Sequence, residues 1–383
     1  MKKLLIINTK YKIFGGEDSN IFDEIKLLKK YYEVQYVNYD NAVKISFSDL
    51  LAFFTNNNIA SNHKLKKYIN DFDPEIIYVH NTWFKANLGI YRILNKKNDI
   101  VILNKIHNLR YDCSRHLQAK NHFKEHINCP ACANTGGSKK LINKYYEESW
   151  LKSLFLGHFS RKYFKILKNF RLKILVLNNF HKNYLNNLGV DAGKIYSFHN
   201  PIGELNYSHN SDSDYVIYAG RINNSKGIPE LIKAWDDANI EGLKLKIIGD
   251  GDLYHELKKN KNPDILFLGE LDNSKTKEFI KSARAVITTT KMYEGQPRLL
   301  SEAASFGIPS IYPSFGGMDE YFPEGYPLKF RQFDYKDLVN KIKLLENKSL
   351  LAIEGKNIFN YTINKFNEEN TIQIFNKIIM DNK

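Results

Sequence analysis

Glu294 and Glu302 have seven residues between them in the stretch "YEGQPRLLSEAASFGIPSI" (293–311), Pro297 among them. The run before them, "AVITTT" (285–290), reads as a strand, and the run after Pro297 reads as a helix. One carboxylate then stands in the loop at the strand's carboxyl end, and the other sits deeper on the helix. Pro297 suits the first helical position, where a missing N–H costs nothing. The N–H groups that follow, at Arg298, Leu299 and Leu300, lack intrahelical acceptors and with the helix dipole form an anion site. Glu302 can accept hydrogen bonds from vicinal hydroxyls such as those of a ribose. Glu294 would face whatever is attached beyond the phosphates. A nucleoside-diphosphate sugar meets this spacing, with its sugar at one carboxylate, its ribose at the other and its phosphates between. A capping carboxylate plus a solvated helix glutamate is the plainer alternative. The following "EAASFGIPSI" counts against it, because small residues and a Gly-x-Pro turn pack such a helix tightly under a strand.

A second group of polar residues lies in "YAGRINNSKGIPEL" (218–231). The strand ends at Gly220 and Arg221, and Lys226 and Gly227 open the next helix. An arginine can grip phosphate oxygens bidentately and a lysine adds a point charge. They stand where doubly wound sheets bind ligands, at a strand's carboxyl end. Two surface cations around an ordinary loop would look the same in isolation.

The elements that must position these groups are legible as alternation. Short β-rich runs at 4–8, 32–37, 75–80, 100–106 and 173–178 are separated by helical patterns. A polar, Pro-containing break follows in "IYSFHNPIGELNYSHNSDSD", and a second series runs at 215–221, 243–249, 265–271, 285–290 and 309–313. Strands alternating with helices predict an α/β class with parallel sheets. The 383 residues suffice for two such domains. The boundaries expected are 1–202, 203–365, and a C-terminal helix at 366–383 that packs back toward the N-terminal domain. The basic N-terminus has too short an apolar run for an export signal, and no stretch has the apolar length of a membrane span. A cytoplasmic protein, at most peripheral at the inner face of the membrane, is expected.

The glycine and cation pattern "GRINNSKG", then "IIGDG", then "YEGQPRLLSEAASFGIPSI" with its E-x7-E spacing and the tail "GGMDEYF" occur in one order. Together they resemble the donor domain of the retaining glycosyltransferases of family four, within glycosyl transferases group 1. The resemblance extends over essentially residues 1–375. It implies the GT-B architecture, in which two Rossmann-like doubly wound domains face across a cleft. By that resemblance Arg221 and Lys226 bind the diphosphate, Glu302 the ribose and Glu294 the donor sugar hydroxyls. The amides of Gly295, Gln296, Arg298, Leu299 and Leu300 would assist at sugar and phosphate. The implied reaction is metal-independent retaining transfer from a nucleotide sugar, UDP-linked by preference or GDP-linked, to a glycan or lipid-linked acceptor in cell-surface polysaccharide synthesis. A non-hydrolysing nucleotide-sugar epimerase of the same fold and a non-catalytic nucleotide-sugar-binding subunit stay open as alternatives.

In the first half, Gly15 and Gly16 follow the first strand and precede a helix, where a glycine pair lets backbone approach a ligand. A plain tight turn would need them as well. The resemblance puts this loop beside the donor diphosphate. His107, at the end of "IVILNKIH", resembles the family's strand-end histidine that contacts the donor sugar near the reacting carbon, and Arg110 adds charge nearby. Cys113, Cys129 and Cys132, with His116, His122 and His126, fall in an insertion at about 108–145. These are the ligand types of a structural Zn site. The fourth cysteine that some relatives carry near "KYYEES" is absent, and unligated thiols are the other reading.

The net charge of +14 is unevenly spread: residues 1–200 hold 32 Lys and Arg against 16 Asp and Glu. Between Glu148 and Asp191 there is no acid. This stretch reads as a helix in which Leu151, Leu154, Phe155, Phe159 and Tyr163 alternate with Arg161, Lys162, Lys165 and Lys168. Such a helix can rest on anionic lipid or pack into the core. Nucleic acid is not expected, since no recognition motif accompanies the charge.

Overall fold

The structure, a computed structural model, describes residues 1–10, 15–41, 46–109 and 149–381. Arg110, the three cysteines and the three histidines of the insertion lie outside the described residues. Among those described, 1–109, 149–201 and 368–381 form one compact unit and Ile202–Asn367 the other.

The first unit contains strands β1 (Lys3–Lys10), β2 (Glu33–Asp40), β3 (Ile76–Val79), β4 (Val101–Ile106), β5 (Lys173–Val176) and β6 (Ile195–Ser197). They form one sheet in the order β2-β1-β3-β4-β5-β6, parallel throughout. Its helices are α1 (Gly16–Leu28), α2 (Phe47–Thr55), α3 (Ile59–Phe72), α4 (Gly89–Leu94), α5 (Trp150–Asn169) and α6 (Asn179–Asn187). Strand β1 shows why both faces are covered. Its residues are apolar without alternation, so Leu5 and Ile7 enter one buried cluster, with Phe159 and Tyr163 of α5. Leu4 and Ile6 enter another, with Ile21 and Ile25 of α1. That second cluster also takes Ile372, Phe375, Ile378 and Ile379, which arrive from the far end of the chain. Continuous apolar strands covered on both faces are what a parallel sheet requires.

The second unit contains β7 (Tyr215–Ala219), β8 (Lys244–Ile248), β9 (Ile265–Gly269), β10 (Ala285–Ile287), β11 (Ser310–Ser314) and β12 (Lys329–Arg331). Its helices are α7 (Ile228–Ala238), α8 (Tyr254–Leu257), α9 (Asn273–Lys281), α10 (Arg298–Ser305), α11 (Tyr335–Lys343) and α12 (Lys348–Phe366), and α13 (Glu368–Met380) follows as part of the first unit. The sheet order is β12-β11-β10-β7-β8-β9, again parallel. The chain winds outward from β7 through β8 and β9, then returns to lay β10 on β7's other side and winds outward again. The carboxyl ends of β7 and β10 therefore flank the point where the winding reverses, the usual ligand position of a doubly wound sheet. Each unit is Rossmann-like, as the α/β alternation predicts.

Three local expectations are corrected. Pro297 is the N-cap of α10, with ψ 123°, and the helix begins one residue later at Arg298. The polar break at 195 opens with a strand, β6, because "IYS" pairs with β5 although only Ile195 of the three is buried. In α5 the apolar residues are split: Phe159 and Tyr163 lie in the core, whereas Leu151 and Leu154 are exposed. No described helix is long and apolar enough to cross a membrane.

Candidate functional site

Strand β7 ends at Ala219, and Gly220, Arg221 and a short 3-10 turn at Asn224–Lys226 lead into α7. Gly227, the N-cap of α7, has φ +70°. A Cβ there would stand 2.2 Å from the Thr289 carbonyl oxygen, so no other residue fits without moving the loop after β10. Gly249 carries the same argument on the other side, where φ is +133° and a Cβ would meet the Gly220 carbonyl at 2.0 Å. Glycines in "GRINNSKG" and "IIGDG" thus let three loops pack backbone on backbone around the end of β7.

The loops after β7 and β10 are also joined by hydrogen bonds. Lys291 N–H donates to Ser225 O at 2.9 Å, and Thr289 Oγ1 donates to Gly227 O at 2.8 Å. Lys291 Nζ donates to Asn224 Oδ1 at 2.8 Å and forms an ion pair with Glu230. Above these contacts Lys226 Nζ pairs with Glu294 Oε1, and Thr290 Oγ1 donates to the same carboxylate oxygen at 3.1 Å. Both partners of this pair are partly exposed. The buried Tyr218 hydroxyl donates to Arg221 O at 2.9 Å. Burial, then the charge of Glu294, holds its pKa well above the usual phenol range, while Arg221 acts in the opposite direction. Tyr218 thus feels both charged residues at once. Arg221 itself is exposed.

On α10, Arg298 Nε donates to Glu302 Oε1 at 2.8 Å, a pairing one helical turn apart that orients the carboxylate. Gly295, Gln296 and Leu300 are buried, while Leu299 and Glu302 are partly exposed. Tyr293 stacks on Phe315 with ring centroids 4.2 Å apart, which anchors the segment that carries Glu294. The structure therefore brings Arg221, Lys226, Glu294 and the start of α10 to one sheet edge. No spacing within either motif announces the pairing of Lys226 with Glu294.

In the first unit Gly15 is the N-cap of α1 and Gly16 its first residue. Gly15 N–H donates to Asp18 Oδ2 at 3.3 Å. His107 lies just beyond β4 and its Nε2 is 3.0 Å from Nδ1 of His80, which follows β3. Sequence reasoning passed over His80. A signal was present, since "IIYVH" and "VILNKIH" both end in histidine, but only their pairing as neighbouring parallel strands makes them meet. Among the described residues no cluster of His, Cys, Asp and Glu is arranged to hold a metal ion.

Residues 206–361 match the family model described as glycosyl transferases group 1. The chain is 31% identical over 150 residues to the amylovoran biosynthesis glycosyltransferase AmsD of Erwinia amylovora, covering 36% of this chain and 42% of that protein. It is 29% identical over 173 residues to the uncharacterized glycosyltransferase MJ1069 of Methanocaldococcus jannaschii, covering 43% and 44%. The matches thus span less than half the length of these curated relatives. Among solved structures, a sucrose-phosphate synthase from Thermosynechococcus elongatus superposes with TM-score 0.71 at 16% identity, over 98% of both chains. TarM gives 0.70 at 13% identity over 100% and 99%. Anabaena HepE in complex with UDP and glucose gives 0.67 at 13% identity over 98% and 99%. At such identities these structures speak for the fold. Residues 206–361 belong to the glycosyl transferases group 1 family, and the chain that carries them has the GT-B fold.

Proposed function

We propose that the protein is a retaining glycosyltransferase that moves a sugar from a nucleoside-diphosphate donor, UDP-linked by preference, to a glycan or lipid-linked acceptor of a surface polysaccharide. The observation that carries this reading is the Lys226–Glu294 pair at the winding reversal between β7 and β10. In the reaction the bond between the sugar's anomeric carbon and the diphosphate breaks. The acceptor oxygen attacks from the same face, and its proton passes to a leaving phosphate oxygen. Arg221, Lys226 and the N–H groups at the start of α10 stabilise the charge that grows on the diphosphate. Glu302 holds the ribose and Glu294 the donor sugar hydroxyls. Lys226 exchanges one oxyanion for another when donor arrives, so Glu294 keeps it ordered in the meantime. By the same resemblance His107 is assigned to the donor sugar and Gly15 and Gly16 to the diphosphate. The HepE complex with UDP and the AmsD name support the donor and the pathway by analogy.

A thermal-shift screen against UDP-, GDP-, ADP- and CMP-sugars tests this. A ligand at a hundred times its Kd stabilises by about 2.7 kcal/mol, so the true donor class stands out as an upward shift. No shift with any of them, at millimolar concentration, would contradict the reading.

The basic half belongs to the same proposal as a contact with anionic membrane. Trp150, Leu151 and Leu154 on α5 are exposed, and so are Leu51 and Phe54 on α2. The two helices touch where the Phe54 and Phe155 rings are 4.8 Å apart. The exposed Arg161, Lys165 and Lys168 continue along α5. Apolar residues beside cations fit a headgroup layer, each cation near the surface contributing about 1 kcal/mol. Vesicles containing phosphatidylglycerol should sediment the protein, and neutral phosphatidylcholine vesicles should not. Gln at all three cations should abolish sedimentation while donor binding persists. Sedimentation indifferent to salt and to these changes would remove the membrane from the account.

A further inference from the structure

The loops that follow β7 and β10 are joined by two lysine–glutamate pairs that run in opposite directions. Lys226, at the end of the 3-10 turn after β7, reaches Glu294 in the loop after β10. Lys291, three residues before Glu294, reaches back to Glu230 in the first turn of α7. The two pairs are not equivalent. The Lys291 side chain is 11% exposed, against 25% for Lys226. Lys291 also donates its ammonium to Asn224 Oδ1 at 2.8 Å and its backbone N–H to Ser225 O at 2.9 Å. One residue of the second loop thus grips three residues of the first. Two of them, Asn224 and Ser225, belong to the turn that ends at Lys226.

Exposure suits each pair to a different task. A partly exposed lysine can leave its carboxylate for an incoming phosphate, because it trades one charge-assisted contact for another. The enclosed lysine is held in place. Its departure would strip the cation from Glu230, whose buried Oε2 has no hydrogen-bond partner among the described residues. Breaking an enclosed pair by removing one partner is strongly unfavourable, because the other charge is left uncompensated. The Glu230 charge is favoured in turn by its place at the N-terminus of α7, where the helix dipole suits an acid.

We infer that Lys291 is a positioning residue: with Glu230 it forms the lasting tie between the two loops, so that the Lys226–Glu294 pair can open without the loops parting. The turn from Asn224 to Lys226 then keeps its place while the Lys226 ammonium changes partner. Neither Lys291 nor Glu230 needs to touch the ligand for this. The exchange of partners at Lys226 rests on the function proposed above; the tie does not.

The tie is tested on the full chain without ligand, by amide hydrogen exchange in peptides spanning 222–228 and 288–294. Lys291→Met should speed exchange there by about tenfold, the order of one lost charge-assisted contact, while Lys226→Ala should leave it near the wild type. Unchanged exchange in Lys291→Met, or equal acceleration in Lys226→Ala, would overturn the inference. The consequence for the site is read by titrating UDP and GDP, with uridine and guanosine beside them. The double variant Lys291→Met/Glu230→Ala removes one charge of each sign. It should weaken the nucleotide that the wild type binds by about tenfold and its nucleoside much less. Were charge near the phosphates all that mattered, the double variant would bind like the wild type, and the inference would fall. Should the Lys291 variants not fold, the partly exposed Glu230→Ala carries both measurements. Its added positive charge alone would tighten the nucleotide, whereas the lost tie loosens it. A protein that binds neither nucleotide yet shows the exchange pattern would refute the proposed function and leave the tie standing. Nucleotide binding with unchanged exchange in Lys291→Met would do the reverse.

Discussion

Lys226→Ala is expected to weaken binding of a nucleoside diphosphate by roughly ten- to a hundredfold, since a charge-assisted contact is worth about 1.5–3 kcal/mol. Arg221→Ala should fall in the same range. The loss should be much smaller for the nucleoside, which offers no phosphate. The ion pair with Glu294 makes this comparison decisive. If Lys226 served only to hold Glu294 in place, its removal would disturb nucleoside and nucleotide alike. Isothermal titration with nucleoside and nucleoside diphosphate on the wild type, Lys226→Ala and Arg221→Ala measures both losses.

The other large effect is on turnover. Glu294→Ala should lower kcat by about a hundred- to a thousandfold, the range found when a group that acts chiefly in the transition state is removed. Binding of the sugar-free nucleotide should persist, since Lys226 is then available to the diphosphate. The Thr290 hydrogen bond is lost with the carboxylate, but the stacking of Tyr293 on Phe315 supports the loop without it, so folding should hold. Steady-state rates together with nucleotide titration check the division. An equal loss of affinity for the bare nucleotide would assign Glu294 to the wrong end of the donor.

Sequence alone revealed the α/β alternation and the strand–loop–helix setting of each charged residue. Runs such as "LLIIN" and "YVIYAGR" are apolar, short and bounded by turn residues. The shortest edge strands were harder. In β12 only Phe330 is buried, so three residues carry too little hydrophobic signal to announce a strand. Contacts over long sequence separations were not legible at all. Lys226 and Glu294 meet because β10 returns to the side of β7, and no spacing within either motif encodes that. The same holds for His80 beside His107. The division of α5 into buried and exposed apolar residues depended on which turns of the helix α2 covers. Periodicity alone gives a face, and packing decides how much of that face is enclosed.

The central claim is that the edge formed by β7, β10 and α10 holds a nucleoside diphosphate, with Glu302 on its ribose. Calorimetric titration of UDP and of GDP into the wild type and Glu302→Ala addresses it directly. Removing this carboxylate breaks only a partly exposed pair with Arg298, worth about 1 kcal/mol or less, so the variant should melt close to the wild type without ligand. The account predicts that one of the two nucleotides binds the wild type and that Glu302→Ala weakens it at least about tenfold, as the loss of a charged hydrogen-bond acceptor implies. Undiminished affinity in Glu302→Ala, or no binding of either nucleotide to the wild type, would contradict it.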